Sequence, residues 1–173
     1  LRAPVLHIVT RLSGLAAVLV LAACGAPTTA VKAPPSEYAA VQDGEFFIEA
    51  VDASLLNDGH ARTEVDYAGP EGPGTIVVDT SNTHLYYVLG GGRAIRYGVR
   101  VGRDGFTWTG VQKVTRKAEW PDWHPPTEMI ERQPYLPRMM AGGPGNPLGA
   151  RALYLGSTLY RIHGTNDART VGY

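Results

Sequence analysis

The sequence is poor in cysteine. Its 173 residues include a single one, Cys24. One thiol cannot form an intramolecular disulfide, whatever the redox state of the compartment. A small fold held together by disulfides is therefore excluded, and the domain must rely on its own core.

The sequence also lacks an excess of either charge. It contains 16 basic and 16 acidic residues, and no basic stripe is apparent. This balance argues against nucleic acid as a partner. Hydrophobic residues make up 44% of the chain, enough for one domain with a core. The 21 glycines and 13 prolines indicate many turns and favour a β-rich fold.

No apolar run is long enough for a permanent membrane helix, which needs about 20 residues. The short run "LSGLAAVLVLAA" (12–23) follows Arg2 and Arg11, as in a secretory signal. Its end, Leu21-Ala-Ala-Cys24, resembles the bacterial lipobox, in which the cysteine is acylated and becomes a membrane anchor. Gly25 after the cysteine favours the outer membrane over the inner one. The alternative is an ordinary signal peptide in which Cys24 has no role.

Composition divides the chain into three segments. Residues 1–24 are predicted to be the lipoprotein signal. Residues 25–74 are predicted to be a linker and N-terminal extension, since 25–45 is rich in Ala, Pro and Thr and lacks periodicity. The turn cluster "AGPEGPG" (68–74) marks a boundary, and residues 75–173 form the predicted folded domain.

The first strands of this domain are predicted from β-branched and aromatic runs. "TIVVDT" (75–80) and "THLYYVLG" (83–90) are two such runs. "RAIRYGVRVG" (93–102) alternates, as expected for a half-buried antiparallel strand. One face of that strand carries Ile95, Tyr97, Val99 and Val101; the other carries Ala94, Arg96, Gly98 and Arg100.

The last strands are predicted to form a hairpin. "RALYLG" (151–156) and "TLYRIHGT" (158–165) are separated by little more than Gly156-Ser157. We therefore predict a mainly β domain, a sandwich of mixed sheets. The segment 103–150 reads as long and irregular, and it forms either a surface loop packed by its own aromatics or the wall of a substrate cleft.

His163 is the strongest candidate for chemistry. It ends the last predicted strand, and Gly164 lets the backbone turn or approach a ligand closely. A histidine at this position suits a general base, although such residues are more often structural. A metal site from Asp122, His124, His163 and Asp167 is disfavoured because no HxH or HExxH spacing is present.

The order of motifs resembles the L,D-transpeptidase catalytic domain, the YkuD-like family. The resemblance runs from about Thr75 to the last residue, through "GTIVVDTSNTHLYYV", "YGVRVGRDGFTWTGVQKVTRKAEWPDWHPPTEM" and "GGPGNPLGARALYLGSTLYRIHGTN". It implies a β-sandwich-like domain of an exported cell-wall enzyme, which needs no cofactor or metal. The implied partners are peptidoglycan stem peptides and, as one possible acceptor, a wall-attached lipoprotein.

The resemblance also implies residue roles. A cysteine thiolate attacks a stem peptide, His163 acts as its base, and the carbonyl of Gly164 holds the other ring nitrogen. Substrate contacts are implied for residues along the matched motifs: Trp120, Trp123, Asn146, Gly149, Arg151, Arg161 and Thr165. The two tryptophans could equally be packing residues, and exposed strand arginines are common.

The nucleophile is the point of departure from the family. Its Ser-x-Gly-Cys-type motif follows the histidine by roughly sixteen residues, which is just past Tyr173. We therefore expect a truncated, inactive family member, incomplete at the C-terminus. Ser157 and Thr165 are poor substitutes because neither is expected within reach of the imidazole. The rival hypotheses are a non-catalytic peptidoglycan-binding lipoprotein and a fragment that does not fold stably.

Overall fold

Strands dominate the structure. The computed structural model describes residues 36–56, 59–102 and 109–173, which contain nine strands, one six-residue α-helix and three short 3₁₀ segments. The strands are β1 (Val41–Asp43), β2 (Phe46–Ile48), β3 (Thr63–Asp66), β4 (Ile76–Asp79), β5 (His84–Gly90), β6 (Arg93–Gly98), β7 (Val114–Glu119), β8 (Arg151–Leu155) and β9 (Arg161–His163). The helix α1 spans Thr127–Arg132. The prediction of a mainly β fold is confirmed.

The strands form three sheets. A four-stranded sheet has the order β3-β6-β5-β4, a three-stranded sheet has the order β7-β8-β9, and β1 pairs with β2. Every pairing among the described strands is antiparallel, and no parallel pair of a mixed sheet occurs among them. The predicted strands at 75–80 and 83–90 are present as β4 and β5, and β8 and β9 form the predicted hairpin.

Strand β6 is shorter than its alternating sequence predicted. It ends at Gly98, where the backbone of His60 packs so closely that an added Cβ would lie 2.6 Å from the His60 carbonyl oxygen. The residue that β6 buries completely is Ala94, which lies on the face opposite Ile95 and Tyr97. Alternation alone therefore did not identify the core-facing side of this strand.

Two regions that looked irregular in the sequence contain strands. β7 and α1 lie within 103–150, and β1 lies within the predicted linker at 25–45. β7 has the sequence "VTRKAE", in which charged residues are exposed, so its hydrophobic signal is weak. Pairing with β8 forms it instead, which is a tertiary effect that local propensity does not encode.

The core is small and consists of two groups. Leu85, Val88 and Ala94 are buried in the four-stranded sheet, while Leu148 and Ala152 are buried at the three-stranded sheet. All described residues belong to one compact unit, Ala33–Tyr173. Among them, no helix has the length and apolar character that crossing a membrane requires. The predicted signal peptide and Cys24 lie outside the described residues.

Candidate active site

His163 ends strand β9, where it pairs with Ala152 of the neighbouring strand β8. Its ring nitrogen Nδ1 lies 2.6 Å from the carbonyl oxygen of Gly164. A carbonyl oxygen can only accept, so Nδ1 carries the proton and donates it. The neutral ring then has its lone pair on Nε2, the nitrogen from which a base would act.

The surroundings of His163 favour its neutral form. Protein atoms around the imidazole exclude water from part of it, and this desolvation lowers the pKa of His163, although another part of the residue remains exposed. The hydrogen bond to Gly164 opposes this change by raising the pKa, and the positive charge of Arg161 lowers it further. The net direction is down, so the imidazole is available to accept a proton at neutral pH.

Gly149 lets two backbone segments meet beside His163. Its φ is +64°, a left-handed conformation that favours glycine. An added Cβ would lie 2.8 Å from the Thr165 nitrogen and 2.9 Å from the Gly164 carbonyl carbon. The amide of Gly164 also donates to the Arg151 carbonyl at 3.0 Å. The turn before β8 therefore fixes the backbone that follows the histidine.

Thr165 belongs to the turn after the histidine. Its hydroxyl donates to the carbonyl of Asp167 at 3.2 Å and accepts from the amide of Asp167 at 3.0 Å. The side chain of Asp167 is bound to Arg169. Thr165 itself is exposed and lines the cavity described below. The structure thus brings His163, Gly164 and Thr165 to one surface.

Asn146 is buried rather than exposed to a ligand. It is 1% exposed, and its amide nitrogen donates to three backbone carbonyls at 3.0 to 3.2 Å. Its side-chain oxygen accepts from the Leu148 amide at 2.9 Å. All its hydrogen-bonding groups are engaged inside the protein. The geometry suits a residue that shapes the loop before Gly149, not one that touches substrate.

The two tryptophans are both half-buried, and both are held by backbone contacts. The backbone of Trp120 has a φ of +42°, and its amide donates a hydrogen bond to the Ala150 carbonyl. The ring of Trp120 packs on that of Phe46, with 4.7 Å between the ring centroids. An added Cβ at Gly142 would lie 1.8 Å from the Trp120 carbonyl oxygen, so only glycine fits there. Trp123 exchanges two backbone hydrogen bonds with Met140, at 2.8 and 2.9 Å.

The two strand arginines differ in what they contact. Arg151 makes a bidentate pair with Asp43 of β1, at 2.7 and 2.9 Å, and this hydrogen-bonded pair lowers the pKa of Asp43. Its guanidinium is therefore already occupied. Arg161 lies over the ring of Tyr154, with its Cζ 5.5 Å from the ring centroid. Both observations favour structural contacts for these two side chains.

Two cavities meet at His163. The first has a volume of about 540 Å³ and is lined by residues 98–100, Pro147, residues 163–167 and residues 170–171. The second, of about 450 Å³, is lined by residues 100–102, Pro126 and residues of α1, together with His163. Arg100 and His163 line both. Arg100 was not among the residues predicted for the site, because its only signal in the sequence was a place on the Ala94, Arg96 and Gly98 face of an alternating run.

The remaining candidates have other surroundings. The Asp122 carboxylate accepts from the Gly142 amide at 2.9 Å. Within residues 36–56, 59–102 and 109–173, no cluster of His, Cys, Asp and Glu side chains is suited to a metal ion. Ser157 lies in the connection between β8 and β9 and lines neither cavity at His163.

Curated proteins that are similar to this chain include probable L,D-transpeptidases. The chain is 33% identical over 154 residues to the probable L,D-transpeptidase YbiS of Escherichia coli K12, covering 74% of this chain and 49% of that protein. It is 36% identical over 106 residues to the probable L,D-transpeptidase ErfK/SrfK of the same strain, covering 56% and 33%. The chain thus spans about half, or less, of the length of these curated relatives.

A solved structure is also similar. It is a crystal structure described as a probable carnitine operon oxidoreductase from Brucella melitensis, with 41% identity and a TM-score of 0.55 over 66% of this chain and 75% of that one. The sequence model of the YkuD family, the L,D-transpeptidase catalytic domain, matches residues 73–172. More than half of the chain is matched, and the protein belongs to the L,D-transpeptidase catalytic domain family.

Proposed function

We propose that this chain supplies the catalytic domain of a peptidoglycan L,D-transpeptidase, which transfers the acyl group of a stem tetrapeptide to an amine through a cysteine thioester. The observation that carries the proposal is the 2.6 Å contact between His163 Nδ1 and the Gly164 carbonyl. It leaves Nε2 as the basic nitrogen of a neutral imidazole beside two open cavities. Membership in the family supports the choice of reaction.

In this proposal His163 carries one proton through each half of the reaction. Nε2 takes the thiol proton, and the thiolate attacks the carbonyl carbon of the third stem residue. The peptide C–N bond breaks, and the imidazolium gives its proton to the leaving nitrogen of D-Ala. An acceptor amine then loses a proton to Nε2 and attacks the thioester, which releases the thiol. The acceptor is a second stem peptide or a wall-attached lipoprotein; water in its place gives hydrolysis.

The thioester mechanism requires a cysteine thiol within reach of His163. The family resemblance points to a cysteine roughly sixteen residues after His163. Cys24 is the only cysteine of the present sequence, and it precedes the matched residues 73–172. Reading the encoding DNA beyond the codon for Tyr173 tests this point directly. A stop codon there, or a continuation with no cysteine, overturns the thioester mechanism.

The role of His163 is tested on the gene product that includes this thiol. A carbapenem mimics the acyl donor and adds its mass to the protein, which intact mass spectrometry detects over time. We expect His163→Ala to slow acylation by about 100-fold or more, the contribution of a general base. His124→Ala, another exposed histidine, is the matched control and should acylate normally. Fast acylation of His163→Ala removes this residue from the role of base.

A second function is binding without chemistry. It is supported by the two cavities at His163, which can hold a stem peptide whether or not a thiol lies beside them. A wall-binding protein would retain stem peptides and form no covalent adduct. Full-length protein that binds a stem tetrapeptide but never gains the carbapenem mass supports this function over the enzyme.

The proposed site of action is the bacterial envelope, facing the periplasm. Support comes from the signal-like residues 12–23 and the lipobox ending at Cys24. Gly25 after the cysteine favours the outer membrane. We expect Cys24→Ser to move the protein from the membrane fraction into the soluble periplasmic fraction, or to block its processing. Unchanged membrane association and processing would contradict the lipid anchor.

A further inference from the structure

Arg100 is a cation on the walls of both cavities at His163, and the proposed chemistry does not use it. It follows β6 after Val99 and lines both cavities together with His163. The residue is exposed. Neither the family resemblance nor the sequence pattern implied a role for it. A ligand in either cavity therefore has Arg100 on the cavity wall beside it.

The backbone on both sides of Arg100 is fixed. The amide of Val99 donates to the Thr83 carbonyl at 2.9 Å, and the amide of Val101 donates to the Tyr173 carbonyl at 3.1 Å. The amide of Gly172 also donates to the Val99 carbonyl at 3.0 Å. Three hydrogen bonds therefore hold the point from which the side chain extends. Such preorganisation lowers the entropic cost of binding a ligand.

The guanidinium of Arg100 has no hydrogen bond or ion pair within the described part of the chain. Other arginines there are paired: Arg93 with Glu64, Arg151 with Asp43 and Arg169 with Asp167. An arginine on a cavity wall with its five donors unused is suited to a planar carboxylate.

The first cavity is the more favourable for an anion. Besides Arg100, the charged residue on its wall is Asp167, whose carboxylate is paired with Arg169 at 2.8 Å. The second cavity contains the opposite charges of Glu128 and Arg132 on α1. A carboxylate in the first cavity therefore meets the charge of Arg100 with little competition. The described residues thus favour one position for a ligand carboxylate.

We propose that Arg100 binds the free C-terminal carboxylate of the D-amino acid that leaves the donor peptide. This inference rests on the proposed function. One residue of extended peptide spans about 3.3–3.6 Å, so a carboxylate one residue beyond the reacting carbonyl remains in the cavity that contains His163. Arg100 is then a specificity-determining residue, which selects donors that end at this residue over longer or amidated ones.

Binding measurements test the inference without turnover. Isothermal titration calorimetry compares a stem tetrapeptide ending in diaminopimelate and D-Ala with the same peptide carrying a C-terminal amide. We expect the wild-type chain to bind the free acid about tenfold more tightly than the amide, because one exposed charge-assisted contact contributes about that much affinity. Arg100→Gln should abolish this preference, and Arg100→Lys should retain part of it.

Arg116→Gln is the matched control. Arg116 stacks on Tyr154, with its Cζ 3.5 Å from the ring centroid, and lines neither cavity at His163. The acid-over-amide preference should survive in this variant. A preference that persists in Arg100→Gln, or equal binding of acid and amide by wild type, overturns the inference and leaves the proposed function intact. If neither peptide binds the wild-type chain, both the inference and the proposed substrate class fail.

Discussion

Asn146 gives the sharpest test of how the site is built. Its amide nitrogen donates to the carbonyls of Pro121, Met140 and Ala141, and its oxygen accepts from the amide of Leu148. The bonds to Pro121 and Leu148 are buried, whereas those to Met140 and Ala141 are only partly buried. Asn146→Ala would leave all four backbone groups without this partner.

The expected cost follows from the two buried bonds. An unsatisfied buried backbone group costs about 1–3 kcal/mol, whereas water can reach the two partly buried carbonyls. We therefore expect Asn146→Ala to lower the free energy of unfolding by about 3–4 kcal/mol. For a domain of this size that loss corresponds to a fall of about 10 °C in the melting temperature. Circular dichroism during thermal and chemical denaturation measures both quantities.

The control is Asn166→Ala. Asn166 is exposed and makes a hydrogen bond of the same kind, from its amide nitrogen to the Gly145 carbonyl at 3.1 Å. Loss of this hydrogen bond should lower the free energy of unfolding by no more than about 0.5 kcal/mol. If Asn146→Ala costs less than about 1 kcal/mol, or no more than Asn166→Ala, the amide does not hold the loop together as argued. The absence of any cooperative transition in the wild-type chain would support an unstable fragment instead.

Asn146→Asp separates hydrogen bonding from shape. The carboxylate has nearly the same size, but it presents an oxygen to three carbonyl oxygens in a site that is 1% exposed. Protonation restores one donor, so the pKa of this carboxyl should be higher in the folded state than in the unfolded chain. The folded state then binds more protons, and stability must fall as the pH rises through that window. A variant whose stability rises with pH there contradicts this account.

Two further predictions concern the histidine and the turn beside it. Gly149→Ala adds a Cβ at φ +64° and 2.8 Å from the Thr165 nitrogen, so we expect a loss of about 1–3 kcal/mol in unfolding experiments, whereas Gly145→Ala meets nothing within 4 Å and should be near neutral. Equal effects of the two substitutions would contradict the close approach. Arg161→Gln should raise the pKa of His163, which is measured by NMR titration of its ring protons. Arg161→Lys should keep this pKa closer to the wild-type value, because the positive charge remains. Since the folded pKa of His163 is lowered, its neutral form contributes stability above the ordinary pKa of 6.5, which is lost as the pH falls through the folded value. No change in the titration of His163 in Arg161→Gln would remove the electrostatic link between these two residues.

Several features of the fold could be predicted because their signals are local. β4 and β5 are runs of β-branched and aromatic residues, and the β8–β9 hairpin follows from two such runs around Gly156. His163 at the end of β9 was visible for the same reason. These predictions need only neighbouring residues, since side-chain period and turn chemistry are properties of short segments.

Other features depended on residues far apart in the chain. Arg151 looked like a free strand arginine, yet its partner Asp43 lies 108 positions earlier. Asn146 was expected to contact substrate, yet it is buried, and one of the carbonyls that it binds, that of Pro121, lies 25 positions earlier. β7 was missed because its own residues are charged and exposed, and only pairing with β8 makes it a strand.

The sequence by itself therefore determined a mainly β domain with a histidine at a strand end, and its motifs identified the family. Only the tertiary structure decided which arginines are already paired, that Asn146 is buried, and that Arg100 lies on the wall of the cavities. The physical reason is range: backbone preferences act over a few residues. Burial, ion pairing and cavity walls arise when segments distant in the chain are packed together.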